Sequence, residues 1–344
     1  MKKAALTGIN KIEIIDAPKP EIKEDKEVLI KMQVMGICGS DIHYYAEGRI
    51  GNQVVEYPHT IGHEGAGIVE ATGSKVSSVK PGDKIAVEPS IACGHCEQCL
   101  SGRFHTCLNN IFLGNPGQRE GNLAEYIVLP ESQCVKLSKN QPIEDGALSE
   151  PLTIGNYAYK LAEALKNSKI GILGFGPVGI SVMLAAKAHG QKDFYVSEKI
   201  DARIQKAKNL GALATFNPNN QEVAREIKKM EPNSLDVVFE CCGQQDAMDT
   251  ALEVLKPGGK VIVIGIPEFD RYSFDSDLAR RHELSIIHAR RQNKTLEETL
   301  DLMASGKIDG NQMVTHQYKL EEVPEAFDLV RNYRDGVIKA LIYF

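Results

Sequence analysis

No apolar run in the sequence approaches the roughly 18 residues that a membrane-spanning helix needs, and the amino-terminal MKKAALTGINKIEI breaks its apolar stretch too early for a secretory leader. These absences predict a cytoplasmic protein with no membrane partner. There is no basic tail either. Lys and Arg number 40 against 46 Asp and Glu, a net charge of -6, and the longest charged cluster is the mixed EIKKMEP around Lys228. Phosphate-backbone binding is driven by clustered positive charge, so nucleic acid is not an expected partner. Internal repeats and low-complexity tracts are missing, and 25% charged with 42% hydrophobic residues argues against disorder as a class. What remains is a chain of 344 residues, long enough for two domains at about 100 to 200 residues each.

The two domains read differently. Up to about residue 153, short β-branched runs alternate with Gly and Pro punctuation, as in EVLIKMQVMGICG, GAGIVEATG, KPGDKIAVEPS and LAEYIVLPES. That rhythm predicts short antiparallel strands joined by turns. From 154 to 287, apolar strands (KIGILG, DFYVSE, LDVVFECCG, KVIVIGI, ELSIIHA) alternate with helical stretches such as VGISVMLAAKAHG and QDAMDTALEVLKPGG. Strands alternating with helices of that length predict βαβ units on a parallel sheet. The last segment, 288–344, leaves that rhythm and is expected to pack on the first domain.

Of eight cysteines, five lie between Cys38 and Cys107, with Cys134, Cys241 and Cys242 outside. Clustering in a long chain without a leader favours metal binding over disulfides. Cys93, Cys96, Cys99 and Cys107 in CGHCEQCLSGRFHTC let one loop wrap four thiolates round a tetrahedral zinc. An iron–sulfur cluster is the main rival, but in the bacterial motif the fourth cysteine follows after three residues and precedes Pro. Here seven residues intervene and Leu108 follows. With four thiolates the shell is full, so this ion stabilises and does not catalyse. A second constellation, Cys38, Ser40 and His43 in GICGSDIH with His63 and Glu64 in GHEGAG, offers donors suited to a catalytic zinc with an exchangeable position. Gly67 rules out the HExxH pattern. On these residues alone, a buried apolar Cys38 and a satisfied loop histidine at 63 remain equally open.

Gly174, Gly176 and Gly179 in KIGILGFGPVGISVMLAAKAHG leave an apolar strand and open a helix, as dinucleotide binding requires. Helix-terminal N–H groups then face the pyrophosphate. Nineteen residues after Gly179, Glu198 ends the next strand, placed to accept hydrogen bonds from a ribose and to repel a 2′-phosphate, which predicts NAD over NADP. Lys199 and Arg203 pull the other way.

Taken in order, GICGSDIH, GHEGAGIVEATGSKVSSVKPGDKIAV, the four-cysteine loop and GFGPVG resemble the medium-chain, zinc-containing alcohol dehydrogenase family across essentially the whole chain. The resemblance implies an α/β protein, with a GroES-like antiparallel β catalytic domain and an inserted Rossmann domain bearing a doubly wound parallel sheet. ICGSDIHYYAEGRIG and GALSEPLTIG carry a closer likeness to polyol dehydrogenases of the sorbitol, xylitol and iditol type. It implies two zinc ions per chain, the catalytic one held by Cys38, His63 and Glu64, with Glu150 binding directly or through water. Tyr44, Glu150 and Arg291 would hold substrate hydroxyls, and Ser40 with His43 would relay the proton, Glu150 being the competing base. NAD would be lined by Gly174, Gly176, Pro177, Val178, Gly179, Glu198, Arg203, Ile264, Gly265, Ile266 and Ala289. A homotetramer, or a dimer, is implied likewise.

The implied reaction is hydride transfer from a secondary alcohol of a polyol to NAD, giving a ketose. One departure stands out. Where the polyol enzymes tend to carry aromatics on both sides of the arginine, this chain has Arg290, Arg291 and Gln292. If Arg290 faces the substrate, a phosphorylated polyol or a sugar acid becomes plausible, since guanidinium pairs bidentately with such anions. L-threonine is a further alternative, because threonine dehydrogenases share much of this ligand pattern. A zinc-free quinone reductase would lack the cysteine loop and the Cys38–His63 set. A catalytically inactive zinc- and nucleotide-binding protein is the non-enzymatic alternative.

Overall fold

The computed structural model describes all 344 residues, Met1–Phe344, and they divide into two compact units, one built from residues 1–150 and 296–344 and the other from 151–295. The β-branched segments of the first unit pair into a seven-stranded sheet in the order Cys134–Lys136, Lys84–Val87, Glu64–Thr72, Glu27–Gly36, Lys339–Tyr343, Val314–Lys319, with Tyr126–Pro130 also paired to Glu27–Gly36. Period-two alternation sends Val28, Ile30, Met32 and Val34 into the core while Lys31 stays exposed. All pairs are antiparallel except one. Val314–Lys319 lies parallel to Lys339–Tyr343, because the chain between them makes a crossover through the Val323–Arg331 helix instead of a tight hairpin. The last strand therefore enters the sheet between Glu27–Gly36 and Val314–Lys319. It sets Leu341 against Gly36, and Gly36 in turn faces Glu64.

In the second unit six strands are all parallel, in the order Ala214–Phe216, Asp193–Ser197, Lys169–Leu173, Leu235–Glu240, Leu255–Val263, Ser285–His288. This is the doubly wound Rossmann order, and its direction reverses between Lys169–Leu173 and Leu235–Glu240, where Leu173 pairs with Glu240. The following helix, Pro177–Ala188, is apolar almost all round and buries every residue from Gly179 to Ala186. The unit runs to Thr295 because the loop after the last strand is tied back, by the Ala289 amide to the Val263 carbonyl at 2.9 Å and by the Thr295 hydroxyl to the Thr153 carbonyl at 3.4 Å.

The glycine loop is set by contact as well as by conformation. Gly174 has φ of 91°, the left-handed region that favours glycine. A Cβ on Gly179 would stand 2.1 Å from the Gly174 carbonyl oxygen. Gly179→Ala must push the helix off the loop, so it is expected to lower stability by about 1 to 3 kcal/mol, read as a fall in the chemical-denaturation midpoint, and to weaken dinucleotide binding in parallel.

Candidate active site

The Gly39–Glu47 helix starts immediately after Cys38 and carries Asp41 in its first turn. Asp41 is buried, and its carboxylate joins both candidate ligand segments: Oδ2 accepts the Cys38 amide at 3.0 Å, while Oδ1 accepts the Gly62 amide at 3.2 Å and stands 3.5 Å from His63 Nδ1. With Nδ1 turned to a carboxylate, Nε2 is the nitrogen left for an ion. The Cys38 sulfur, a His63 ring nitrogen and a Glu64 carboxylate oxygen lie within 4.8 Å of one another. Burial of His63 opposes its charged form, yet the carboxylate of Asp41 and the thiol of Cys38 outweigh it and raise the imidazole well above its ordinary value. A sulfur, an imidazole and a carboxylate converging where positive charge is favoured fit a zinc ion with an open position.

Glu64 is also engaged elsewhere. Lys339 Nζ donates to its Oε1 at 2.7 Å and its Oε2 at 2.6 Å, and to the Ile37 carbonyl at 3.0 Å, with the Lys339 and Glu64 side chains each only 1% exposed. Cys38 and His63 can therefore ligate as they stand, whereas Glu64 must share its oxygens with a buried cation. Glu150 lies outside the cluster of ligand atoms. It is buried, and burial pushes its carboxyl up to about 7, opposed by His63 and reinforced by Glu64. The helix Gly39–Glu47 sets Ser40 and His43 one turn apart on one face, both half-buried. Tyr44 is 3% exposed within the core of its unit, its hydroxyl meeting Gln53 Oε1 at 3.0 Å and Asn115 Oδ1 at 3.3 Å.

The four-cysteine loop folds into a cage. Cys93, Cys96, Cys99 and Cys107 bring their sulfurs within 4.8 Å of one another, with Cys96–Cys99 at 3.6 Å and Cys96–Cys107 at 3.8 Å. A tetrahedron with Zn–S near 2.3 Å has edges of about 3.8 Å. The amides of Cys93 and Asn109 donate to the Cys107 sulfur at 3.3 and 3.4 Å, and the backbone N–H of His95 leads the groups that lower Cys93 to about 6. Thiolate charge is thus supported at Cys93, whereas burial pushes the Cys99 thiol up to about 12.

In the second unit Gly176 caps the Pro177–Ala188 helix with Pro177 in its first turn. The Arg203 guanidinium lies beside Gly176, 3.2 Å from where a Cβ would stand, adding positive charge to the helix terminus. Glu198 braces the same loop: Oε2 accepts the Phe175 amide at 2.7 Å, and Oε1 accepts those of Lys199 and Ile200 at 2.7 and 3.0 Å. A carboxylate accepts about four hydrogen bonds, so one position remains for a ribose hydroxyl. Pro177, Val178, Ile264, Gly265 and Ala289 are half-buried and Ile266 is exposed, near the carboxyl ends of the strands. In the loop after the last strand Arg290 is exposed and Arg291 is half-buried with φ of 53°. Gln292 Oε1 closes the turn on the Thr295 amide at 2.9 Å.

Asp41, Lys339 and Glu240 are not among the site residues predicted from the sequence. Asp41 carried a local signal, an acid three residues after Cys38 at a helix start. Lys339 had none, since its partner is 275 residues away.

Lys339→Met leaves the Glu64 charge buried and unpaired, which should destabilise the protein by about 3 to 5 kcal/mol. Adding Glu64→Gln should restore much of that loss in guanidinium denaturation. Asp41→Ala should weaken zinc at the Cys38–His63 position by about 10- to 100-fold, measured by chelator competition with the four-cysteine ion as internal reference.

Comparison with known proteins bears on the same two units. Residues 24–139 match the alcohol dehydrogenase GroES-like domain and residues 177–305 match the zinc-binding dehydrogenase domain. A sorbitol dehydrogenase of Bacillus subtilis is 36% identical over 344 residues, covering 100% of this chain and 97% of that protein. An L-idonate 5-dehydrogenase of Vitis vinifera is 35% identical, covering 88% of this chain and 84% of its own length. The crystal structure of galactitol-1-phosphate dehydrogenase from Escherichia coli superimposes with a TM-score of 0.91 at 28% identity, covering 100% of both chains. No helix is long and apolar enough to cross a membrane. The chain belongs to the zinc-binding alcohol dehydrogenase family, with a GroES-like unit and a Rossmann unit in one polypeptide.

Proposed function

We propose that this protein oxidises a secondary alcohol of a polyol to a ketose with NAD, using one catalytic and one structural zinc per chain. The observation that carries the reading is the Cys38–His63–Glu64 convergence with Asp41 behind it, a mixed sulfur, nitrogen and oxygen set that differs in kind from the closed cysteine cage. Bound zinc supplies a Lewis acid that lowers the pKa of a hydroxyl, and bound NAD supplies the hydride acceptor.

The chain's own residues do the rest. Cys38 and His63 hold the ion position and Asp41 fixes both. Ser40 and His43 carry the hydroxyl proton outward, and Glu150 is the alternative acceptor. Tyr44 and Glu150 are read as orienting the remaining hydroxyls, and Arg291 is assigned to substrate on the polyol-enzyme likeness alone. The Gly174–Gly179 loop and Arg203 bind the pyrophosphate, Glu198 binds the adenosine ribose, and Ile264, Gly265, Ile266 and Ala289 line the nicotinamide. Glu198 favours NAD over NADP, because a 2′-phosphate would meet its carboxylate. The balance is one hydride and one proton lost from the alcohol, giving ketose, NADH and a proton. The name of the B. subtilis relative, a sorbitol dehydrogenase, supports a neutral polyol.

A second reading has its own observation. Arg290, Arg291 and Lys294 put three cations into one short loop, and that charge suits a phosphorylated polyol or a sugar acid. The relatives again include such substrates in their names, an idonate and a galactitol phosphate. We further infer a cytoplasmic homo-oligomer from the family likeness; for the oligomer alone, Ser285–His288, the last strand of its sheet, offers an edge on which a second copy can pair.

NADH absorbance with sorbitol, xylitol, L-iditol, phosphorylated polyols, sugar acids and L-threonine tests the assignment. Turnover is expected with the neutral polyols. Preference for an anionic member selects the second reading, and L-threonine alone overturns both. Elemental analysis should find about two zinc ions per chain, falling to about one in Cys107→Ser. A single ion with no turnover on the panel would support the inactive, structural alternative.

A further inference from the structure

The second unit holds an acid that the cofactor cradle has not used. Glu240 is 0% exposed at the end of Leu235–Glu240, and its Cα partner across the sheet is Leu173, one residue before the first loop glycine. Its Oε1 accepts the amides of Cys242 and Gly243 at 2.9 and 2.7 Å and the Cys242 thiol at 3.1 Å. Its Oε2 is buried with no hydrogen-bond partner. That oxygen faces Gly265, where a Cβ would stand 2.7 Å away, and the amides of Ile264 and Gly265 donate to the Glu240 carbonyl at 2.8 and 3.1 Å. The side chain is thus locked into the turn at the carboxyl ends of two neighbouring strands, its charge half satisfied.

Burying a half-satisfied carboxylate opposes folding, and such groups cluster where charge has a use. A dinucleotide on this fold crosses the point where strand order reverses, one mononucleotide over each half of the sheet. Glu198 marks the adenosine half, so the nicotinamide half belongs to the strands beginning with Leu235–Glu240. The oxidised ring carries a positive charge that the reduced ring lacks. We propose that Glu240 is a fixed negative charge that selects the oxidised cofactor, strengthening NAD+ relative to NADH and easing release of the reduced product. This inference rests on the reading that the second unit binds NAD.

The test measures dissociation constants of NAD+, NADH and ADP-ribose for the intact, metal-loaded protein, its Glu240→Gln variant and its Glu240→Asp variant. Failure of the unmodified protein to bind ADP-ribose would remove the dinucleotide reading itself. Given that binding, Glu240→Gln keeps an acceptor for the Cys242 and Gly243 amides and removes the charge. The ratio of NADH to NAD+ dissociation constants should then fall on the order of tenfold, with ADP-ribose affinity held within about twofold, because a buried unit charge acts on the charged ring and not on the portion the three ligands share. Glu240→Asp, which keeps the charge, should hold the ratio near that of the unmodified protein. An unchanged ratio in Glu240→Gln, an equal fall in Glu240→Asp, or loss of ADP-ribose binding in Glu240→Gln overturns the proposal and leaves Glu240 a brace of its turn.

Discussion

Lys339 and Glu64 form a charge pair with both side chains almost wholly out of water, and the first unit is organised around it. Such a pair survives burial only when the remaining donors and acceptors are met. Here the lysine's third hydrogen bond goes to the Ile37 carbonyl, next to Cys38. The pair requires the last strand to enter the sheet beside Glu27–Gly36, and it requires glycine at 36, where a Cβ would fall 2.3 Å from Glu64 Oε2. One interaction thereby links the end of the chain, the amino-terminal sheet and the candidate metal position.

Asp41 does for the amino-terminal ligands what Lys339 does for Glu64. A single buried carboxylate accepts amides from both the Cys38 and the His63 segments and orients the imidazole. Ligand placement is then a property of backbone hydrogen bonds and not of side-chain rotamers alone, the kind of support that holds a site in productive geometry. The cysteine cage is built otherwise. Its four sulfurs come from one stretch of fifteen residues, 93–107, and its amide donors from the same loop. The Rossmann unit applies the carboxylate device twice. Glu198 braces the glycine loop from one side of the strand-order reversal, and Glu240 braces the turn on the other.

Much of this was legible in the sequence. The cysteine spacing, the strand–glycine–helix sequence around Gly174 and the alternation of strands with helices are short-range signals, since each depends on contacts within a few tens of residues. The parallel setting of Val314–Lys319 was not legible, because strand direction there is decided by a crossover. Nor was the division of labour between the two adjacent candidates His63 and Glu64. Both stand in the same GHEGAG segment, yet one faces Asp41 and the other faces Lys339.

The sequence by itself determined the family, the parallel and antiparallel character of the two sheets, the cage and the strand–glycine–helix turn, because period-two and helical patterning and tight motif spacing act locally. Only the tertiary structure decided which polar groups are buried together. Asp41 with His63, Lys339 with Glu64, and Glu240 with Gly265 are pairings between separate segments of chain. Their energies come from exclusion of water and from geometry that no local pattern encodes.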